Sequence, residues 1–269
     1  ALRCINASIV QGSGLGPAAF VIYASDLHPL SPGDDLNKYA DDCYLVVPDD
    51  QVSLIPAELE HIETWASRNN LKLNVLKSKE LIVKRPKTKS TDFPPPLAGI
   101  ERVVSLKILG VNFDGDLNFS LHVEKLVSQS NQRLYALKQL KSQGLAGSKL
   151  WNVTTATLVS GLTYASSAWW SMISEGSKQR LQSILNKTIK QGFLSNTQLT
   201  IAELCEAADD KLFESILRNP SHVLHRILPP IKHCKYDLRK RAHNRQIKII
   251  SNSNFKKSFI NKMLSKDSY

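Results

Sequence analysis

Hydrophobic residues follow two rhythms along this chain, and the rhythm changes near Gly115. Before it, apolar runs are short and rich in β-branched and aromatic residues. Tyr44, Val46 and Val47, Leu71 to Asn74, Glu80 to Val83, Val103-Val104 and Leu106 to Phe113 read as strands. Two helices are predicted among them. One opens at Pro17, continues through Ala18, Ala19, Phe20 and Ile22, and runs to about His28. The other is carried by Leu54, Ala57, Leu59, Ile62, Trp65 and Ala66 and ends near Asn70. After Gly115 the spacing is helical. Phe119, Val123, Leu126, Val127, Ser130, Leu134 and Leu137 share one face, and Trp151 to Met172, Lys178 to Phe193 and Thr200 to Leu217 continue the pattern. The expectation is an α+β fold: mixed sheet and helix over residues 1–115, helices over 116–217, and a polar basic segment over 218–269.

Leu150 to Ser174 carries no charge, which raises the question of a membrane span. Its many threonines and serines predict a buried helix of a soluble protein instead. The formal charge is +11 over 269 residues, and it is unevenly placed. From Arg218 onward there are 13 Lys or Arg and two acids, Asp237 and Asp267, so that block alone accounts for the excess. A basic block on a neutral body predicts a polyanionic partner, nucleic acid above all; a solvated tail is the alternative. Cys4, Cys43, Cys205 and Cys234 are scattered without a CxxC pair, as expected in a reducing compartment. No signal peptide precedes the first motif, and the expected location is intracellular, nuclear or cytoplasmic.

Candidate chemistry sits at three places. Gln11-Gly12-Ser13-Gly14-Leu15-Gly16-Pro17 is a glycine-rich loop whose backbone can approach a ligand closely. Tyr39-Ala40-Asp41-Asp42 sets two carboxylates at the tip of a predicted hairpin. Hard oxygen donors of that kind suit Mg²⁺, whose remaining shell is water and substrate phosphate; a polar β-turn is the competing explanation. His222, His225, His233, Cys234 and His243 do not reproduce a zinc-finger spacing.

The order of these motifs is more specific than any one of them. The QGS-LGP loop and helix, the YADD hairpin, a helix, Leu73-Asn74 with Lys77-Ser78, and Leu109-Gly110-Val111 follow one another across residues 10–114. This series resembles the palm of reverse transcriptases from non-LTR retrotransposons. Tyr236 to His243 and Phe259 to Leu264 resemble the usual ending of such polyproteins. The resemblance implies a partial right-hand polymerase palm, antiparallel sheet with helices, followed by an all-helical thumb and a basic tail. It implies RNA-directed DNA polymerisation with an RNA template, a DNA primer, deoxynucleoside triphosphates and Mg²⁺, which Mn²⁺ could replace. Asp41 would be a metal ligand, with Asp42 beside it in the metal site or in the hairpin geometry. Gln11, Gly12, Ser13 and Tyr39 would line the nucleotide and primer end, and Lys77 would act on leaving pyrophosphate unless it is an ordinary turn lysine. Leu109, Gly110 and Val111 would form the primer grip, and Lys125, Arg133, Lys138 and Lys141 could follow a duplex backbone. In that family another metal-binding carboxylate precedes the glycine-rich loop. Ala1 to Val10 contains no Asp or Glu. The expectation is therefore a polymerase portion inactive on its own; the alternative is a catalytically dead nucleic-acid-binding relic.

Overall fold

A computed structural model describes residues 14–84, 93–231, 243–247 and 253–266. The fold is α+β and divides into two compact units, residues 1–80 with 89–103, and residues 81–88 with 104–269.

In the first unit, helix α1 (Gly16–Tyr23) begins with Pro17 in its first turn and is apolar around its whole circumference. Leu15, just before it, and Val21 and Ile22 along it are 65–80% exposed. It stops short of the expected His28. The Ser25 hydroxyl donates to the Ile22 carbonyl at 2.6 Å, and the Lys38 ammonium takes the carbonyls of Ala24 and Leu27 at 2.5 and 2.7 Å. Strands β1 (Asp35–Tyr39) and β2 (Asp42–Val46) then form an antiparallel hairpin with Tyr39 opposite Asp42. A 3₁₀ turn, Asp49–Leu54, leads into α2 (Ile55–Arg68), which buries Glu58, Ile62 and Ala66 at four-residue spacing.

The strand expected over Leu71 to Asn74 does not form. The Asn74 carbonyl accepts the amides of Lys77 and Ser78, both at 3.1 Å, and its side chain accepts the Lys77 amide at 3.2 Å, so the segment turns instead. What pairs is shorter: β3 (Lys79–Glu80) lies parallel to β4 (Glu101–Arg102). The Arg102 guanidinium forks onto both Glu80 oxygens at 2.7 and 2.9 Å and also reaches the Pro94 and Pro95 carbonyls.

The second unit opens with the hairpin of β5 (Ser105–Ile108) and β6 (Val111–Asp114). Gly115 follows with no room for a side chain: a Cβ would stand 2.6 Å from the Ile82 carbonyl oxygen, and its own carbonyl accepts the Lys84 amide at 2.7 Å. Helix α3 (Ser120–Ser142) turns Val123, Leu126, Ser130, Leu134 and Leu137 inward. The uncharged stretch is one broken helical path: α4 (Gly147–Thr154), a π-helical turn Thr155–Val159, α5 (Ser160–Thr163) and α6 (Ser166–Trp169). Its hydroxyls explain part of the irregularity. Thr154, Thr157 and Thr163 each donate to the carbonyl four residues back, at 2.8, 2.7 and 3.1 Å, which bends and loosens a helix. Ala165, at φ +50°, breaks it before α6. No helix among the described residues is long and apolar enough to cross a membrane.

Helix α7 (Glu175–Lys190) is capped by Ser174, and α8 (Ile201–Arg218) by a Thr200–Glu203 capping box. The core between these helices holds Phe119, Leu150, Leu158, Leu162, Trp169, Leu181, Leu185 and Ile201. Two short helices, α9 (Ser253–Lys257) and α10 (Phe259–Ser265), close the unit, and α10 buries Met263 and Leu264 beside Phe213 of α8.

Candidate functional site

The Asp-Asp pair sits where the hairpin reverses. Two residues, Ala40 and Asp41, make the turn, and Ala40 takes a left-handed conformation at φ +52°. Asp42 is the first residue of β2, so its side chain shares a face with Tyr44, whose hydroxyl donates to Asp42 Oδ2 at 3.3 Å. Both carboxylates are exposed, as is Tyr39. The tip is therefore open to an incoming ligand while the strands fix its backbone. Lys38, one residue before Tyr39, ties β1 to the segment following α1 through the two carbonyls it holds. Burial pushes the Cys43 thiol up, Lys38 opposes this, and the charges of Asp42 and Asp41 add to it.

Two adjacent oxygen-donor side chains, reachable by water, suit part of a Mg²⁺ shell and leave positions for phosphate oxygens. Among the described residues no group of three or more His, Cys, Asp or Glu is placed to hold a metal ion.

Lys77 is exposed in the Asn74 turn, and no hydrogen bond or ion pair links it to Asp41 or Asp42 among the described residues. Gln11, Gly12 and Ser13 lie outside the described residues. Leu109 and Gly110 make the β5–β6 turn with φ of +46° and +93°, the signature of a two-residue I′ hairpin. Leu109 is exposed there and Val111 is buried. The Tyr164 hydroxyl donates to the Leu109 carbonyl at 3.0 Å, and its ring lies so close to Gly110 that a Cβ there would be 3.1 Å from Cε1.

The basic residues expected along α3 divide by their partners. Lys125 Nζ donates to Asn112 Oδ1 at 2.7 Å, and Lys141 Nζ donates to the Gln191 carbonyl at 2.8 Å while lying over the Phe193 ring. Arg133 Nη1 is buried without a hydrogen-bond partner among the described residues. Of the zinc candidates, His233 and Cys234 lie outside the described residues. His243 accepts the Arg245 amide through Nδ1 at 3.1 Å and faces the Leu264 carbonyl through Nε2 at 2.9 Å, so both its nitrogens are engaged.

Sequence reasoning missed the supports of the hairpin. Glu58 is fully buried and accepts the amides of Leu30 and Ser31 at 3.0 and 2.7 Å. Burial pushes its carboxyl up, yet those amides hold it below the ordinary range. Asp34 is buried nearby, and burial followed by the Glu58 charge pushes its carboxyl up. One signal was available: Glu58 shares the inward face of α2 with Ile62 and Ala66, where a charge demands a partner.

No protein-family model matches the chain, and no solved structure matches it. It is 26% identical over 220 residues, 72% of its length, to the probable RNA-directed DNA polymerase from transposon X-element of Drosophila melanogaster. It spans 23% of that protein, and the likeness supports, at family level, a reverse transcriptase of a mobile element.

Proposed function

We propose that this chain is a portion of a non-LTR retrotransposon reverse transcriptase, comprising part of the palm, the thumb and a basic segment. The parent activity is RNA-directed DNA polymerisation, with RNA template, DNA primer and deoxynucleoside triphosphates as substrates. The observation that carries it is the rigid, solvent-open Asp41-Asp42 turn in a chain similar to a transposon polymerase. Bound at that turn, Mg²⁺ would supply the charge that activates the attacking 3′-hydroxyl and stabilises the leaving phosphate. Asp41 and Asp42 provide oxygen donors, the β1–β2 backbone aims them, and Tyr39 presents its exposed ring beside the primer end. Leu109 and Gly110 support the primer strand. The helices following β6 contact the duplex backbone, with affinity that falls steeply with salt.

Because Asp41 and Asp42 have no third donor among the described residues, the chain by itself should not extend a primer. The test is extension of oligo(dT) on poly(rA) with Mg²⁺ or Mn²⁺. No product is expected; template-dependent synthesis abolished by Asp41→Ala would overturn this part of the proposal. The second reading, a nucleic-acid-binding relic without catalysis, draws on the basic block from Arg218 onward. Duplex affinity with a steep salt slope, indifferent to Mg²⁺ and to Asp41→Ala, would favour it.

A further inference from the structure

Two carboxyl groups of the first unit meet where water is excluded. Glu58, on α2, is fully buried, and Asp34, immediately before β1, is 7% exposed. A turn brings them together: the Asp34 amide donates to the Ser31 carbonyl at 3.1 Å, which folds the chain back over α2. The Gln51 amide packs against Gly33 within that turn, where a Cβ would collide with it. The Asp34 carboxyl then lies within hydrogen-bonding reach of the Glu58 carboxylate.

Two ionised carboxylates in contact at a dry site repel each other and lose their hydration. The charges nearby give no relief. Asp50, in the 3₁₀ turn, adds a further negative charge. No Lys, Arg or His forms an ion pair with Asp34 or Glu58 among the described residues. His61, one turn along α2 from Glu58, meets the His28 carbonyl through Nε2 at 3.1 Å instead. The donors decide which carboxyl keeps a proton. Glu58 accepts the Leu30 and Ser31 amides at 3.0 and 2.7 Å, and the Ser31 hydroxyl as well. Both Asp34 oxygens are sealed from solvent, and neither receives an N–H or a hydroxyl from the described residues. A carboxylate fixed by three donors stays charged, whereas a buried carboxyl with none gains by carrying its own hydrogen.

We propose that Asp34 and Glu58 share one proton, held on Asp34 and donated to Glu58, and that this proton fastens the turn before β1 to α2 and releases it as the pH rises. The fastened strand is the one that ends at the Ala40-Asp41 turn. Burial, then the Glu58 charge, raises Asp34 above its ordinary 3.8, so its contribution to stability is complete below that value and is lost as the pH climbs through the folded midpoint. Burial also pushes Glu58 up, but its donors outweigh this and hold it below the ordinary 4.5; its contribution is present above 4.5 and is lost as the pH falls through its folded midpoint. The first unit is therefore fastened best in the acidic interval where the pair holds a single proton.

The experiment follows the Asp34 carboxyl carbon by NMR in the full chain, in EDTA, from roughly pH 3 to 8, together with amide-exchange protection at Leu30, Ser31 and β1. Asp34 should titrate above 3.8, and protection should fall through the same midpoint, by about tenfold for each pH unit by which that midpoint exceeds 3.8. Asp34→Asn, whose NH2 replaces the shared hydrogen, should hold the turn with protection that no longer changes across that midpoint. Glu58→Gln, which removes the partner charge and supplies a donor, should return the Asp34 midpoint toward 3.8, and it serves if the asparagine variant fails to fold. An Asp34 midpoint at or below 3.8, or protection in Asp34→Asn that keeps the pH dependence of the unaltered chain, overturns the proposal. So does Ca²⁺ or Mg²⁺, added without EDTA above the midpoint, if it restores protection as fully as acid does, because a metal ion rather than a proton would then join the two carboxyls.

Discussion

Lys262→Met should cost the second unit far more stability than Asp209→Asn, although the two residues share one interaction. Asp209 is 3% exposed on α8 and accepts Lys262 Nζ of α10 at 2.7 Å as well as the Ser167 hydroxyl. Removing the ammonium leaves a buried carboxylate with only a neutral donor. That situation costs roughly 3–5 kcal/mol where both partners are dry. The Lys262 side chain is 32% exposed, so water replaces part of the lost interaction, and about 2–3 kcal/mol is the expected loss. Asp209→Asn removes the charge that needed compensation. Its amide oxygen can still accept from Lys262, and the Ser167 hydroxyl can turn to accept from the new NH2, so about 1 kcal/mol is expected. The double variant should lie near Asp209→Asn, because no charge remains to be stranded. Met263 and Leu264, the neighbours of Lys262 on α10, are buried and worth about 2 kcal/mol each by area, so α10 should stay docked in every variant. Urea unfolding followed by the buried Trp169 gives the four free energies, and amide exchange over Phe259–Ser265 reports docking. Equal losses in the two single variants, or an additive double variant, would refute the reasoning.

Lys38→Met removes the ammonium shared by the Ala24 and Leu27 carbonyls and should destabilise the first unit by about 1–3 kcal/mol, with faster amide exchange in the β1–β2 hairpin. Unchanged exchange there would remove Lys38 as the anchor of the Asp-Asp turn. His122 is 3% exposed, beside Asn112 and edge-on to Trp169 at 5.0 Å; burial first, then the Lys125 charge, pull its pKa below the usual 6.5. The unfolded chain therefore takes the proton first as pH falls. Stability from this residue is complete above about pH 6.5 and declines below it toward the folded pKa. The urea midpoint should drop from pH 7.5 to 5.5, and the drop should shrink in His122→Leu; equal pH dependence in both proteins would exclude His122 as its source.

The helices of the second unit were readable because their apolar residues recur along one face: Val123, Leu126, Leu134 and Leu137 are predicted inward and found inward. The hairpin was readable for a different reason, two strand-like runs flanking a polar break, although the turn itself falls on Ala40 and Asp41, and Asp42 already belongs to β2. Short strands were not. Whether Leu71 to Asn74 pairs depends on whether Asn74 closes a turn first, and its side-chain carbonyl decides that locally. The interruption of the uncharged stretch was hidden because hydroxyls that satisfy the backbone look the same in sequence as hydroxyls that merely tolerate burial. Lys38 and Tyr164 escaped notice because each acts across 11 to 55 residues of chain, on backbone atoms that carry no sequence label.

Ala40 has a consequence for how the carboxylates are aimed. At φ +52° an alanine gives up roughly 1–2 kcal/mol that a glycine would not. In exchange its methyl group restricts the unfolded chain and narrows the range of turn shapes open to the folded one. A glycine would relax the tip and let the angle between Asp41 and Asp42 wander. The backbone at the pair is thus shaped by steric exclusion at one methyl group, while the Tyr44 hydroxyl engages one oxygen of Asp42.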